Sequence, residues 1–387
     1  MRLIITGGHL TPAIALIQES ISHQDKILFI GRKYASSNNL VLSREKAEVE
    51  NLSASFQSIS TPKIERSQLT ASLLKAPQLF FSIFQASTII SRFKPDIIVS
   101  FGGYLSIPVA IAAKLKSIPI IIHEQTHAAG LANRVISKFA IKIALSYPSS
   151  QSYFPSTKTV ITGNPIRQSF YANSLKKPSW IPKPAKPILY ITGGNQGSLI
   201  INQTIKQILP KITKSFLVIH SCGSSQIHRY FDSLNQARQE LPHKNNYLIR
   251  QWLTQTEVAW VVNNSSLIIT RSGANIVHEI LYAKKPAILI PLPFAQKQEQ
   301  LKNAQMLKAS GLGFILSQDQ LTPQTLHQSI NYVLKHHSQF TFKKLSSYYD
   351  PQKAAARLYQ LIVKNTPSKL DEKKKSQTPP KQKTTIS

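Results

Sequence analysis

Ile5-Thr6-Gly7-Gly8 and Ile191-Thr192-Gly193-Gly194 put the same four letters at the end of an apolar run in each half of the chain. A strand that ends in paired glycines and turns straight into a helix leaves backbone N–H groups open at the positive end of the helix dipole, where an anion can sit. Ser100-Phe101-Gly102-Gly103, after the run Ile97 to Val99, repeats the pattern. Six of the chain's 14 glycines fall in these three pairs, so general flexibility explains them poorly. Any one pair reads equally well as a tight turn that binds nothing. Three of them, two at matching places in two halves, favour a phosphate-bearing ligand.

Around these turns, strand-like runs at 2–5, 27–31, 97–101, 118–122, 141–145 and 158–162 alternate with helical stretches at 12–22, 66–92, 105–116 and 129–138. The second half repeats the alternation, with strands near 187–192, 216–219, 246–250, 267–270, 286–290 and 313–316, and helices at 322–336 and 351–363. Such βαβ periodicity predicts an α/β fold with parallel, doubly wound sheets and ligands at the carboxyl ends of the strands. A length of 387 residues with 42% apolar content fits two domains. Pro178, Pro182, Pro184 and Pro187 mark residues 164–187 as the linker. The expected division is 1–163, the linker, 188–345, a closing helix within 346–363, and a disordered Lys-rich tail at 364–387.

The single cysteine, Cys222, excludes an internal disulfide framework and any multi-thiolate metal site. No charged and apolar leader precedes the first strand at Arg2, which predicts a cytoplasmic protein. No stretch approaches the ~20 apolar residues that span a bilayer. The nearest, Ala76 to Ser91, carries Pro77, Gln78 and Gln85 and reads as a surface helix with one apolar face. The net charge of +30, from 47 basic and 17 acidic side chains, demands a partner of opposite sign. It is spread over both halves without a zinc module, basic helix or interleaved aromatic motif, so an anionic membrane surface suits it at least as well as a nucleic acid.

In Gly7-Gly8-His9-Leu10-Thr11-Pro12, Thr11 reads as a helix N-cap and His9 as a residue of the turn, either a general base or a histidine that only bonds the loop. Thr270-Arg271-Ser272-Gly273-Ala274-Asn275-Ile276-Val277-His278-Glu279 ends a strand and opens a helix. Glu279, about one and a half turns in, is placed for a ribose diol or is a solvated surface carboxylate. Arg167, in Gly163-Asn164-Pro165-Ile166-Arg167, is a candidate phosphate partner. The chain lacks G-x-G-x-x-G and G-x-x-x-x-G-K-[ST], which argues against a nicotinamide enzyme and a P-loop NTPase. It also lacks the D-x-D pair that holds a metal on a nucleotide-sugar diphosphate, so helix dipoles, amides and basic side chains would neutralise a leaving diphosphate.

Together with Phe101-Gly102-Gly103-Tyr104, His123-Glu124-Gln125, Ala129 to Asn133, Gly193-Gly194-Asn195-Gln196-Gly197 and Gln300 to Ala304, these motifs resemble the MurG family over most of residues 1–363. That family comprises the bacterial glycosyltransferases that add N-acetylglucosamine to undecaprenyl-diphospho-muramoyl-pentapeptide, the lipid-linked precursor of peptidoglycan. The resemblance implies two Rossmann-like domains in the GT-B arrangement, an inverting, metal-independent reaction with no cofactor, and UDP-N-acetylglucosamine held mainly by the second domain. It implies that Ala274, Asn275, Ile276 and Glu279 hold the diphosphate and ribose, that Leu253 meets the uracil, and that Glu299 and Gln300 contact the sugar. Arg167, Asn195 and Gln196 would lie against the diphosphate, with Thr126 also at the donor site. Thr6, Gly7 and Gly8 would face the acceptor's diphosphate, and His9 would be the base. Thr126, Asn195, Asn275, Ile276, His278, Lys297 and Glu299 depart from the family's usual residues.

A polyprenyl acceptor places such an enzyme peripherally on the cytoplasmic face of the membrane. Leu73, Leu74, Leu79, Phe80, Phe81 and Phe84, bracketed by Lys63, Arg66, Lys75, Arg92 and Lys94, form the candidate apolar patch, with Phe80 and Phe84 equally readable as core. Two rivals remain: a related lipid glycosyltransferase acting on diacylglycerol, and a basic nucleic-acid-binding protein on an inactive scaffold of the same kind.

Overall fold

A computed structural model describes residues 1–36, 39–42, 44–61, 76–172, 174–225, 228–343, 345 and 349–367. In the first half, β1 (Arg2–Thr6), β2 (Lys26–Gly31), the ribbon β3 (Tyr34–Ser36) and β4 (Asn39–Leu42), β5 (Ser55–Ser58), β6 (Ile97–Ser100), β7 (Ile120–Glu124), β8 (Lys142–Leu145) and β9 (Thr159–Ile161) alternate with helices. These are α1 (Leu10–Ser22), α2 (Arg44–Glu50), α3 (Ala76–Phe93), α4 (Ser106–Leu115) and α5 (Leu131–Ile136). The sheet order is β5-β2-β1-β6-β7-β8-β9, all parallel.

The second half contains β10 (Ile188–Thr192), α6 (Leu199–Ser215), β11 (Leu217–Ser221), α7 (Tyr230–Gln239), β12 (Tyr247–Arg250), α8 (Gln255–Asn264) and β13 (Ser265–Thr270). It continues through α9 (Ala274–Ala283), β14 (Ala287–Leu289), α10 (Glu299–Ala309), β15 (Gly313–Ile315), α11 (Pro323–Lys335) and α12 (Pro351–Asn365). Its parallel sheet has the order β12-β11-β10-β13-β14-β15. The α/β fold with two Rossmann-like units expected from the sequence is the one observed.

Side chains alternate across each sheet, so a strand buries both faces. Leu3 and Ile5 of β1 join Ile14 and Ile17 of α1 on one side, and Ile4 joins Ala86, Ile90 and Val109 of α3 and α4 on the other. Fully burying each such Ile or Leu stabilises by roughly 1.5–3 kcal/mol. The last helix returns to the first sheet: Leu358 and Ile362 enter its core, and the Tyr359 hydroxyl donates to Asp25 at 2.9 Å. Segment 164–187 is also packed, with Ile166, Phe170 and Ile181 buried.

Some expectations need correction. Helix α1 starts at Leu10, so Thr11 lies inside it and His9 takes the cap position without a side-chain cap bond. Helix α5 spans only Leu131–Ile136, because Glu124 ties Gly130 and Asn133 to the end of β7. Helix α12 runs to Asn365, two residues into the expected tail, while residues 368–387 lie outside the described residues. Leu73 and Leu74 of the proposed patch, with Lys63, Arg66 and Lys75, also lie outside them. Phe80, Phe81 and Phe84 are 72%, 56% and 68% exposed, so the reading of Phe80 and Phe84 as core is overturned. The buried side of α3 is Ser82, Ala86 and Ile90.

Candidate functional site

In each sheet the strand order reverses once beside the first strand, and ligands of doubly wound folds bind at that point, outside the carboxyl ends of the strands. The first reversal lies between β1 and β6, whose ends carry Gly7-Gly8 and Gly102-Gly103. The second lies between β10 and β13, followed by Gly193-Gly194 and by Ser272-Gly273.

The first pair of loops is locked together. Gly8 N donates to Gly102 O at 2.9 Å, and Phe101 N donates to Thr6 O at 2.7 Å. A Cβ on Gly7, whose φ is +141°, would fall 2.7 Å from the Phe101 carbonyl carbon. These glycines therefore serve close backbone approach as well as any ligand. Thr6 is buried, and its hydroxyl donates to Ile30 O at 3.0 Å rather than facing the cleft.

His9 stands over this junction. Its Nδ1 is 2.8 Å from the Phe101 carbonyl, which can only accept, so Nδ1 carries a proton and, whenever the ring is neutral, Nε2 carries the lone pair. A cleft of about 310 Å³ opens beside it, lined by Gly102, Gly103, Tyr104, Glu124 and Thr126 to Asn133 from the first half and by Lys297 and Glu299 from the second. His9, Thr126 and Glu299, far apart in sequence, thus meet here. Burial is the main cause that pushes the Glu299 carboxyl above its usual range, Glu124 adds to it, and His9 opposes it.

Glu124 received no role from the sequence, yet it organises the cleft wall. One carboxylate oxygen accepts from Thr126 N at 3.0 Å and Thr126 Oγ1 at 2.6 Å, and the other from Gly130 N at 2.9 Å and Asn133 Nδ2 at 3.0 Å. The Thr126 hydroxyl is thereby engaged within its own loop. His127 stacks on Tyr147 at 3.6 Å between centroids, and the Tyr147 hydroxyl donates to Asn303 at 3.1 Å, joining the two halves. Gln125 donates to Asn275 across the same boundary.

On the second sheet, α9 follows Gly273, which supplies no side-chain cap, so no capping side chain occupies its first amides. Glu279 is 2% exposed, which overturns the solvated-carboxylate alternative. It pairs with Arg167 at 3.7 Å, while Arg167 also approaches Thr11 Oγ1 at 3.4 Å. Desolvation raises the Glu279 carboxyl above its usual range against the pull of Arg167, and its Oε1 accepts no hydrogen bond within the described residues. Ala274 and Leu253 are buried, and Ile276 is half-buried against the core. Asn195 and Gln196 lie exposed in the second glycine loop, outside the His9 cleft. The Gln300 side chain accepts from Leu292 N at 3.0 Å, and its carbonyl accepts from Ser272 Oγ at 2.7 Å. Arg271 bonds Ile290 O, Pro291 O, Ser198 and Gln318, and so ties strand ends together.

Comparison with known proteins agrees with this architecture. The glycosyltransferase family 28 N-terminal domain matches residues 4–145 and its C-terminal domain residues 188–362. The chain is 30% identical over 374 residues to a UDP-N-acetylglucosamine--N-acetylmuramyl-(pentapeptide) pyrophosphoryl-undecaprenol N-acetylglucosamine transferase of Lachnospira eligens, covering 94% of this chain and 99% of that one. It is 32% identical to the protein of the same name from Clostridium botulinum, covering 86% and 90%. The crystal structure of Acinetobacter baumannii MurG, at 22% identity, superposes with a TM-score of 0.65 over 94% of this chain and 99% of that chain, a likeness of fold. The chain is therefore a glycosyltransferase and belongs to the MurG family.

Proposed function

We propose that the chain transfers N-acetylglucosamine from UDP-N-acetylglucosamine to muramoyl-(pentapeptide) diphospho-undecaprenol, with inversion and without a metal ion. The observation that carries this is the placement of His9: its Nδ1 is held by the Phe101 carbonyl at 2.8 Å beside a cleft lined by both halves of the chain. The relatives are named for this transfer, and the chain matches nearly their full length.

In this reading the acceptor hydroxyl enters the cleft and gives its proton to His9 Nε2 as its oxygen bonds to the anomeric carbon. The bond to the UDP oxygen breaks on the opposite face, and its electron pair leaves with the diphosphate. A single displacement inverts the carbon. The departing charge meets the first amides of α9, Arg167 and the Asn195-Gln196 turn, fixed dipoles and a cation that need no reorganisation. Glu279 Oε1 accepts a ribose hydroxyl, Leu253 lies at the uracil, and Glu299 and Gln300 at the sugar. Glu124 holds the Thr126 to Asn133 wall in place. Among the described residues no group of three or more His, Cys, Asp or Glu is placed to hold a metal ion, and the helix amides and Arg167 are the charge compensation in this reading.

The exposed Phe80, Phe81 and Phe84 support a peripheral membrane location. Helix α3 hands over directly to β6, so its first turns stand at the carboxyl edge of the sheet, the edge that carries the cleft. No helix among the described residues is long and apolar enough to cross a membrane. A panel of acceptors tests the assignment: the muramoyl-peptide lipid diphosphate should be glycosylated in the presence of a chelator, and diacylglycerol should not. Transfer to diacylglycerol alone, or DNA binding without any transfer, would replace it.

A further inference from the structure

The cleft beside His9 has a charge imbalance. Among the described residues that line it, Glu124 and Glu299 are carboxylates, and Lys297 is the one lysine or arginine. A diphosphate entering here meets the Gly102-Gly103 loop, but also two acidic side chains. Lys297 comes from the opposite half of the molecule and reaches across the boundary, with its Nζ 4.1 Å from the ring centroid of Tyr153 in the first half. No ion pair to a carboxylate holds it there among the described residues. Its backbone is left-handed, at φ 51° and ψ 32°, and Gln298 follows at φ 55°. Two consecutive non-glycine residues in that region are strained.

We propose that Lys297 is a diphosphate-binding cation, carried by the second half over a diphosphate seated in this cleft against the Gly102-Gly103 loop. This rests on the function proposed above, in which the lipid acceptor and the donor each carry such a group. The position favours the acceptor's, because the lining shared with Lys297 is Gly102, Gly103 and Tyr104 and not the Gly193-Gly194 loop. The lysine contributes charge at the entrance to a cleft whose own side chains are net acidic, and it sets the preference for a diphospho-lipid over a neutral one.

The test uses the full chain with Lys297→Met, Lys297→Arg and Lys297→Asn. Lys297→Met should raise the KM for the muramoyl-peptide lipid diphosphate about 10-fold with the KM for UDP-N-acetylglucosamine unchanged, the loss of one charge-assisted hydrogen bond. Lys297→Arg should restore it. Lys297→Asn should raise the same KM without lowering the melting temperature, since asparagine tolerates the left-handed backbone; a purely structural lysine would instead lose stability and leave KM alone. A rise in the donor's KM alone would assign the cation to the donor diphosphate. Unchanged values for both substrates would overturn the proposal. Inorganic pyrophosphate, added with UDP saturating the donor site, tests it apart from the reaction. It should stabilise the parent against heat more than Lys297→Met, and equal shifts would contradict the assignment even if the parent transfers no sugar.

Discussion

The His9 ring donates a hydrogen bond from Nδ1–H to the Phe101 carbonyl at 2.8 Å, across the junction of the two first-half glycine loops. The loop that anchors the imidazole is thus the loop that forms the cleft floor. The anchor orients the ring and leaves Nε2 as the proton acceptor in the same stroke.

His9→Ala should therefore lower kcat by roughly two to four orders of magnitude, the usual scale for a positioned general base. Donor affinity should hardly change, because the α9 site is on the other sheet. Steady-state kinetics beside calorimetric titration with UDP separates the two. Near-parental turnover across pH would remove His9 as the base.

Glu279→Ala should weaken UDP binding by roughly 1.5–3 kcal/mol, the contribution of hydrogen bonds to a charged acceptor. The fold should survive, because Arg167 keeps Thr11 as a neighbour and the lost carboxylate was itself costly to bury. Equal UDP affinity for variant and parent by calorimetry would show that the carboxylate does not meet the ribose.

Acid should destabilise the protein through its buried imidazoles. Desolvation pushes His278 and His123 down from 6.5 to about 4. Between those values the unfolded chain binds more protons than the folded one, so this stability is fully present above pH 6.5 and is lost as pH falls toward 4. One such histidine contributes a slope of up to about 1.4 kcal/mol per pH unit. His278→Gln should make stability, read by denaturant unfolding from pH 7 to 4.5, fall less steeply by about that amount. Parallel curves for the two proteins would show that His278 is not buried neutral.

Phe81→Ser should reduce sedimentation with anionic vesicles and leave UDP affinity intact, and added salt should weaken binding of the parent. A 56% exposed phenylalanine loses little packing on replacement, so the melting temperature should hold. Equal binding of parent and variant to anionic and neutral vesicles would take the aromatic patch out of the account.

The architecture was legible because Thr6-Gly7-Gly8 and Thr192-Gly193-Gly194 sit where strand periodicity stops, and such a stop marks the carboxyl edge of a parallel sheet. Glu279 was legible as a site candidate from its distance into α9, but not its burial against Arg167, a residue 112 positions earlier that reaches it only through the fold. Glu124 escaped notice as a wall-builder because its four donors are spread over the 126–130 loop and the first turn of α5, a set that follows no periodicity. The Thr11 cap was misplaced by two residues because the Gly8–Gly102 lock ends the loop earlier than residue preference suggests. Phe80 and Phe84 have helical spacing whichever way the helix faces, and only packing of Ala86 and Ile90 showed which side is buried.

The most direct test is to incubate the protein with radiolabelled UDP-N-acetylglucosamine and muramoyl-pentapeptide diphospho-undecaprenol, and to follow the label. Lipid-phase label should accumulate in step with released UDP, with transfer abolished or nearly so in His9→Ala. Label that stays in the aqueous phase while UDP binds normally would contradict it.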